Sequence, residues 1–254
     1  MNRITPIIVF STIVLASAGL FWYAKNSSLV IDTNTLLVDT NAEYPPFSFL
    51  DNDTIVGFDI DLANEVGKRL GKTVKITDMP FDSLLPKLQL GDLNIIAAGL
   101  TATPERAEKV LFTKPYLEGD PLIVIVGSKN PAITGIADLH GKDIVVNEGY
   151  TADLQLSKIE GLSLKRLATP AEAFMALQSG QVYAFVAARS TVQPYFQEHT
   201  YEEFNITPLE GMSDHYSLAV SKKYPELLPV IQEALDALEK DGTLAALKQK
   251  WGLS

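Results

Sequence analysis

The 254-residue sequence contains no cysteine. This absence excludes disulfide bonds, thiolate nucleophiles, zinc–thiolate sites and the lipid-modified cysteine that anchors some exported proteins. Histidine is scarce, and His140, His199 and His215 have none of the spacings of a metal site. No glycine-rich phosphate loop follows a predicted strand, and no Gly-x-Ser-x-Gly elbow occurs. We therefore expect no metal, no cofactor and no catalytic residue.

Acidic residues outnumber basic residues in the chain as a whole. Lysine and arginine total 21 against 31 aspartate and glutamate residues, which gives a net charge of −10 at pH 7. A protein this acidic repels a phosphate backbone, so nucleic acid is not expected as a partner. The hydrophobic fraction of 46% is ordinary for a globular protein, and the length suits two modest domains or one large one.

The N-terminal segment carries no charge between Arg3 and Lys25. Two interpretations are open for residues 1–25. The small residues 16–18 resemble a signal-peptidase site, which would release the remainder. The run is also long enough to span a membrane as a hydrophobic helix, with Trp22 and Tyr23 at the outer interface, which would make it an uncleaved anchor. Both place the remainder in the periplasm or on the extracytoplasmic face, after a linker at 26–34.

Predicted helices and strands alternate from residue 35 onwards. Asp59 is the predicted N-cap of one helix, Gly91 ends a second, and Thr103 and Thr169 cap two more. This alternation predicts an α/β protein with parallel or mixed sheets covered on both faces, and such sheets bind ligands at the carboxyl ends of strands. The predicted strands are 36–38, 74–76, 94–98, 122–126, 144–146, 182–187 and 216–220.

One loop carries groups suited to an anionic ligand. Gly99 offers backbone donors, Thr101 a hydroxyl, and Arg106 a guanidinium in the first turn of a helix. A guanidinium can bind a carboxylate through two hydrogen bonds, and a helix N-terminus adds positive potential. Because an arginine at this position is more commonly a solvated surface residue, the loop alone does not establish a site.

Further motifs supply the missing context. The segments 40–47, 57–63, 81–86 and 103–107, with 112–116 and 247–252, resemble the polar amino-acid subfamily of type II periplasmic binding proteins in sequence, order and spacing. The resemblance covers residues 35–254. It implies a monomeric flytrap with a ligand cleft between lobe 1 (35–118 and 215–254) and lobe 2 (119–214). Its implied function is to capture a polar amino acid or close analogue and deliver it to the permease of an ABC importer.

The resemblance also implies roles for individual residues. The position of Arg106 clamps the ligand α-carboxylate with help from Thr151, and the positions of Tyr44 and Phe81 sandwich the ligand side chain. Phe47 is expected to pack in the core instead. The implied ligand-binding set is Asn41, Tyr44, Phe81, Ala98, Gly99, Thr101, Arg106, Glu148, Thr151 and Ala188.

The sequence departs from this family at one position. Relatives usually carry an aspartate that pairs with the ligand α-ammonium, but this chain has Ala188 there, followed by Arg189. A desolvated ammonium without an acceptor is costly. Either Glu148 or Glu43 replaces the aspartate, or the ligand lacks an α-ammonium. If Arg189 faces the cleft, a second anionic group on the ligand is possible, although we expect this side chain at the surface.

Two functions of other classes stay open. A dehydratase-like enzyme on this fold would need a cleft carboxylate near residues 188–190, where the sequence has none. A membrane-tethered sensor would need residues 1–25 to be retained. Glu43 and Asp82 near the pocket rim favour a cationic ligand side chain such as that of arginine or lysine.

Overall fold

The computed structural model describes residues 34–198 and 201–253. The hydrophobic segment 1–25 and the linker up to residue 33 lie outside the described residues. The described residues from Leu36 onwards form a single compact unit. Among the described residues, no helix combines the length and the apolar character that crossing a membrane requires.

A nine-stranded mixed sheet runs through this unit. Its strands follow one another in the order β10-β9-β11-β8-β12-β6-β1-β5, with the short β7 paired to β12. A separate antiparallel sheet contains β2, β3 and β4. The strands are β1 Thr35–Thr40, β2 Glu43–Tyr44, β3 Ser48–Asp51, β4 Thr54–Val56, β5 Thr73–Asp78, β6 Ile95–Thr101, β7 Leu111–Phe112, β8 Leu117–Gly127, β9 Asp143–Asn147, β10 Ser163–Leu167, β11 Ala184–Ala188 and β12 Phe204–Val220.

Helices between these strands confirm the predicted α/β class. Several predicted ends are also confirmed: Thr103 and Thr169 cap their helices, and Gly91 ends its helix in the left-handed conformation. The helix that follows Ala188 was not predicted; Pro194 lies inside it, and a proline is unfavourable within a helix. The helices are α1 Phe58–Arg69, α2 Phe81–Leu90, α3 Pro104–Ala107, α4 Thr151–Leu156, α5 Pro170–Gln178, α6 Arg189–Glu198, α7 Leu227–Lys240 and α8 Thr243–Lys250.

The predicted cap at Asp59 is wrong. Gly57 is the N-cap of α1, and Asp59 lies within the helix with a fully buried side chain. Its carboxylate accepts hydrogen bonds from the Gly99 amide at 2.5 Å and the Tyr116 hydroxyl at 2.6 Å. Burial raises the pKa of Asp59 to about 7. Asp59 therefore ties α1 to the loop at the end of β6, which a local capping pattern cannot reveal.

The two long strands β8 and β12 join two hydrophobic cores. The core beside β1, α1 and α7 includes Leu36, Leu62 and Leu235, whereas the cores around β9 and β11 include Val146 and Phe185. The sequence predicted only short strands at 122–126 and 216–220. In the structure, β8 and β12 pair antiparallel along most of their length, from Phe204 opposite Gly127 to Tyr216 opposite Leu117.

Candidate functional site

Arg106 is the buried cation at the centre of the candidate site. Thr103 caps α3, so the short helix turns Arg106 inward, and only 4% of the residue is exposed. Its guanidinium donates to the carbonyl oxygens of Thr101 and Gly149, each at 2.8 Å. Burial lowers the pKa of Arg106 to about 10. Within the described part of the chain, this guanidinium forms no direct ion pair. The carboxylates of Asp214 and Glu105 act on it electrostatically without contacting it.

A buried carboxylate joins two hydroxyls of the predicted ligand-binding set. The Thr101 hydroxyl donates to Asp214 at 2.5 Å, and Thr151 forms a second side-chain hydrogen bond with Asp214. Asp214 is 5% exposed, and burial raises the pKa of its carboxyl. The structure therefore brings Thr101, Thr151 and Arg106 together around Asp214, an aspartate that no sequence motif indicated.

Tyr44 packs against Gly99, near the carboxyl end of strand β6. Its buried hydroxyl contacts the Tyr216 hydroxyl at 2.9 Å and accepts a hydrogen bond from Thr191 at 3.0 Å. Gly99 has a φ of +55°, and a Cβ added there would lie 2.5 Å from Cε1 of Tyr44. Gly99 thus gives the tyrosine ring room to lie against the backbone. Phe47, 5.0 Å from this ring between centroids, is fully buried, which confirms its expected place in the core.

Phe81 lies on the other side of the cluster. Its ring centroid is 4.4 Å from that of Tyr150, and Cζ of Arg106 lies 5.7 Å from it. Asn41 is buried nearby, donates to the Met79 carbonyl at 3.2 Å and accepts from the Tyr150 hydroxyl at 3.5 Å. The aromatic residues therefore contact each other and the guanidinium.

An acidic cavity of about 100 Å³ adjoins Phe81. Its lining includes Glu43, Asp82 and Glu148, all of which are solvent-exposed. Three carboxylates and one aromatic ring give this cavity the chemistry of a site for a cationic group. The remaining lining residues are Pro80 and Ala168.

Ala98 and Ala188 contribute no polar side chain. Ala98 packs in a hydrophobic cluster with Leu88 and Val110, so only its backbone can contact a ligand. Ala188 is 4% exposed and lies opposite Leu122 on β8. Arg189 is exposed, as expected for a surface residue.

Asp120 is a second aspartate that no sequence motif indicated. Its carboxylate accepts hydrogen bonds from the Tyr216 hydroxyl at 2.7 Å, from the Ser190 amide at 3.3 Å and from the Ser190 hydroxyl. Strand register places it directly opposite Asp214. No local motif marks either residue, because their proximity depends on how β8 and β12 pair. Over the described ranges, no group of three or more His, Asp or Glu side chains could hold a metal ion.

Comparisons with known proteins agree with this architecture. The profile of the bacterial extracellular solute-binding proteins, family 3, matches residues 36–254. The arginine-binding extracellular protein ArtP of Bacillus subtilis is 28% identical over 243 residues, covering 94% of this chain and 93% of that protein.

Two solved structures are also similar. An ancestral arginine-binding protein bound to arginine is 36% identical with a TM-score of 0.78, over 86% of this chain and 98% of that one. An ancestral amino-acid-binding protein, a precursor of cyclohexadienyl dehydratase, is 32% identical with a TM-score of 0.76, over 87% and 97%. The resemblance seen in the sequence motifs is thereby confirmed, and the chain belongs to family 3 of the bacterial extracellular solute-binding proteins.

Proposed function

We propose that this protein is the extracytoplasmic substrate-binding component of an ABC importer and that its substrate is an α-amino acid. The buried, ion-pair-free guanidinium of Arg106 is the observation that carries this proposal. Removing a charge from water is costly unless a partner compensates, and a ligand carboxylate would pair directly with the guanidinium. The names of its relatives, among them arginine-, histidine- and cystine-binding proteins, support the same class of ligand.

The ligand carboxylate binds at Arg106 in this proposal. In the structure the guanidinium donates one hydrogen bond to the carbonyl oxygen of Gly149, which precedes α4. A bidentate carboxylate would replace that contact with a charge-assisted pair, which is shorter and stronger than a neutral hydrogen bond. The Thr151 hydroxyl, two residues after Gly149, bonds to Asp214 and would turn from it to reach the ligand carboxylate.

The ligand side chain extends past Phe81 into the acidic cavity. Glu43, Asp82 and Glu148 would face a cationic side chain, and the Phe81 ring would lie against it. We therefore propose a basic amino acid, arginine or lysine, as the substrate. The arginine-binding relatives support this assignment.

Ligand binding closes two lobes, 35–118 with 215–254 and 119–214. Contacts between these parts include the bond from Arg106 to Gly149 and the ion pair between Glu105 and Lys158. A ligand that bridges both lobes stabilises the closed form in proportion to its preference for that form. The closed monomer then docks on the permease at the outer face of the membrane.

A thermal unfolding screen tests the proposal. The purified protein is heated with each of the twenty amino acids, with polyamines and with dicarboxylates. A ligand at 100 times its dissociation constant stabilises by about 2.7 kcal/mol, which raises the midpoint by several degrees. We expect basic amino acids to give this shift, Arg106→Ala to abolish it, and the exposed-site control Arg189→Ala to retain it. If no amino acid shifts the wild-type midpoint, the proposed function is wrong.

One observation favours a second candidate, a dehydratase-like enzyme. The sequence offers no carboxylate at residues 188–190, but Asp120 reaches Ser190 from β8. An acid at this position is what such an enzyme would need. We propose binding without turnover, so incubation with arogenate should yield no dehydrated product. Product formation that Asp120→Asn abolishes would favour the enzyme.

The fate of the N-terminal segment distinguishes a released protein from a tethered one. Either outcome fits a binding component outside the cytoplasm. The intact mass of the mature protein shows directly whether the segment is cleaved, because loss of a signal peptide removes the first residues of the chain.

A further inference from the structure

The site described above has a clamp for a carboxylate but no family-type acceptor for an ammonium. Ala188 presents only a methyl group, and Glu43 and Glu148 lie at the acidic cavity beside Phe81. An α-ammonium lies one carbon away from the carboxylate bound by Arg106. Its acceptor must therefore lie close to Arg106 and Thr101 rather than at the far end of the ligand side chain.

We propose that Asp214 accepts the ligand α-ammonium, and that Asp120, opposite it on β8, reinforces the negative potential there. This inference rests on the proposed function. It moves the acceptor from the end of β11, where relatives carry it, to β12, one of the two strands that join the cores.

Strand register supports placing the ammonium acceptor on β12. Ala188 pairs with Leu122 across β11 and β8, and Asp120 lies two residues from Leu122. Residues two apart on a strand share a face, so Asp120 projects on the same side as the missing aspartate. Asp214 is the partner of Asp120 across β8 and β12. Asp120 thus lies on the strand next to the position from which the aspartate is absent, and Asp214 lies one strand further away.

Like charges directly opposite each other on neighbouring strands are destabilising. Among the described residues, neither Asp120 nor Asp214 forms a direct ion pair, and Arg106 acts on Asp214 electrostatically without contacting it. A ligand ammonium would relieve this repulsion, just as a ligand carboxylate would neutralise Arg106. The site therefore offers charges of both signs that form no direct ion pair, which is the complement of an amino-acid zwitterion.

Hydrogen bonding distinguishes the two aspartates. Asp120 already accepts from Tyr216 and from both the amide and the hydroxyl of Ser190. Asp214 accepts from Thr101 and Thr151, both members of the predicted ligand-binding set. A carboxylate has about four acceptor positions, so Asp214 keeps capacity for an ammonium beside those threonines. We therefore assign the direct contact to Asp214 and the supporting role to Asp120.

The test compares a ligand with its des-amino analogue. Calorimetry gives the affinity of the purified protein for L-arginine and for 5-guanidinopentanoate, which is identical except that it lacks the α-amino group. We expect wild type to prefer L-arginine by at least about 30-fold, as for other buried charge pairs. Asp214→Asn should reduce this preference to a few-fold, Asp214→Asn with Ala188→Asp should restore most of it, and the surface control Asp92→Asn should leave it unchanged.

Ala188→Asp alone provides an independent check if Asp214→Asn does not fold. Because wild type already has an acceptor, this variant should raise the preference by less than about threefold. A rise of tenfold or more, or an unchanged preference in folded Asp214→Asn, would overturn the inference while leaving the proposed function intact. If another amino acid emerges from the screen, it and its des-amino analogue replace the arginine pair. If wild type binds no α-amino acid, both proposals fail together.

Discussion

Replacing Gly99 with alanine should destabilise the protein for two reasons, the left-handed backbone conformation at residue 99 and a steric clash with Tyr44. Gly99 has a φ of +55°, in the left-handed region, where a side chain costs about 1–2 kcal/mol. The added methyl would also lie 2.5 Å from Cε1 and 3.1 Å from Cδ1 of Tyr44. That ring cannot simply rotate away, because it is buried and its hydroxyl bonds to Tyr216 and Thr191.

The two costs can be separated with a matched control. Gly71 has a similar φ of +64°, but a Cβ added there would meet no atom within 4 Å. Gly71→Ala should therefore cost about 1 kcal/mol, from the backbone alone. Gly99→Ala should cost about 3 kcal/mol, because forcing a methyl into a packed site adds roughly 1–3 kcal/mol.

Urea unfolding of both variants measures these free energies. The same displacement of Tyr44 should weaken ligand binding in Gly99→Ala but not in Gly71→Ala, which calorimetry can follow. If the two variants lose the same free energy of unfolding to within about 0.5 kcal/mol, the Tyr44 ring is not packed tightly against Gly99, and the packing described for this side of the site is wrong.

Two further predictions concern ionisable groups. Burial raises the pKa of Asp59 from 3.8 to about 7, so its contribution to stability is full below about pH 4 and is lost as pH rises through 7. Relative to Asp59→Asn, the wild-type free energy of unfolding should fall by roughly 4 kcal/mol over that interval, and parallel pH profiles would contradict this. Glu105→Gln, which removes the exposed ion pair with Lys158, should change ligand affinity by less than about fivefold, and by less still at high salt.

Local chemistry made much of the fold predictable. Thr103 and Thr169 satisfy helix amides within three residues, and Gly91 takes a conformation that other residues disfavour, so each signal acts over a few positions. The grouping of Gly99, Thr101 and Arg106 was predictable for the same reason, because the three residues lie in one short loop of the sequence. Asp59 misled the same reasoning, since its partners Gly99 and Tyr116 lie 40 and 57 residues away.

The acidic pair was beyond local reasoning. Asp120 and Asp214 are far apart in sequence and meet only because β8 and β12 pair in a particular register. That register is shifted between residues 208 and 213 and again between 214 and 215. No sequence pattern fixes the register of two strands that are separated by several other strands and helices. The absence of an aspartate at Ala188 was visible in the sequence, but the replacement that we propose depends on the tertiary structure.

Calorimetric titration of the purified protein with L-arginine and with L-argininamide tests the central claim most directly. The two compounds share the α-ammonium and the guanidinium, and they differ at the carboxylate that we assign to Arg106. Leaving a buried charge unpaired costs about 2–5 kcal/mol, so L-arginine should bind at least about 30-fold more tightly. Equal affinities for the two compounds would show that Arg106 does not hold a ligand carboxylate and would contradict the account.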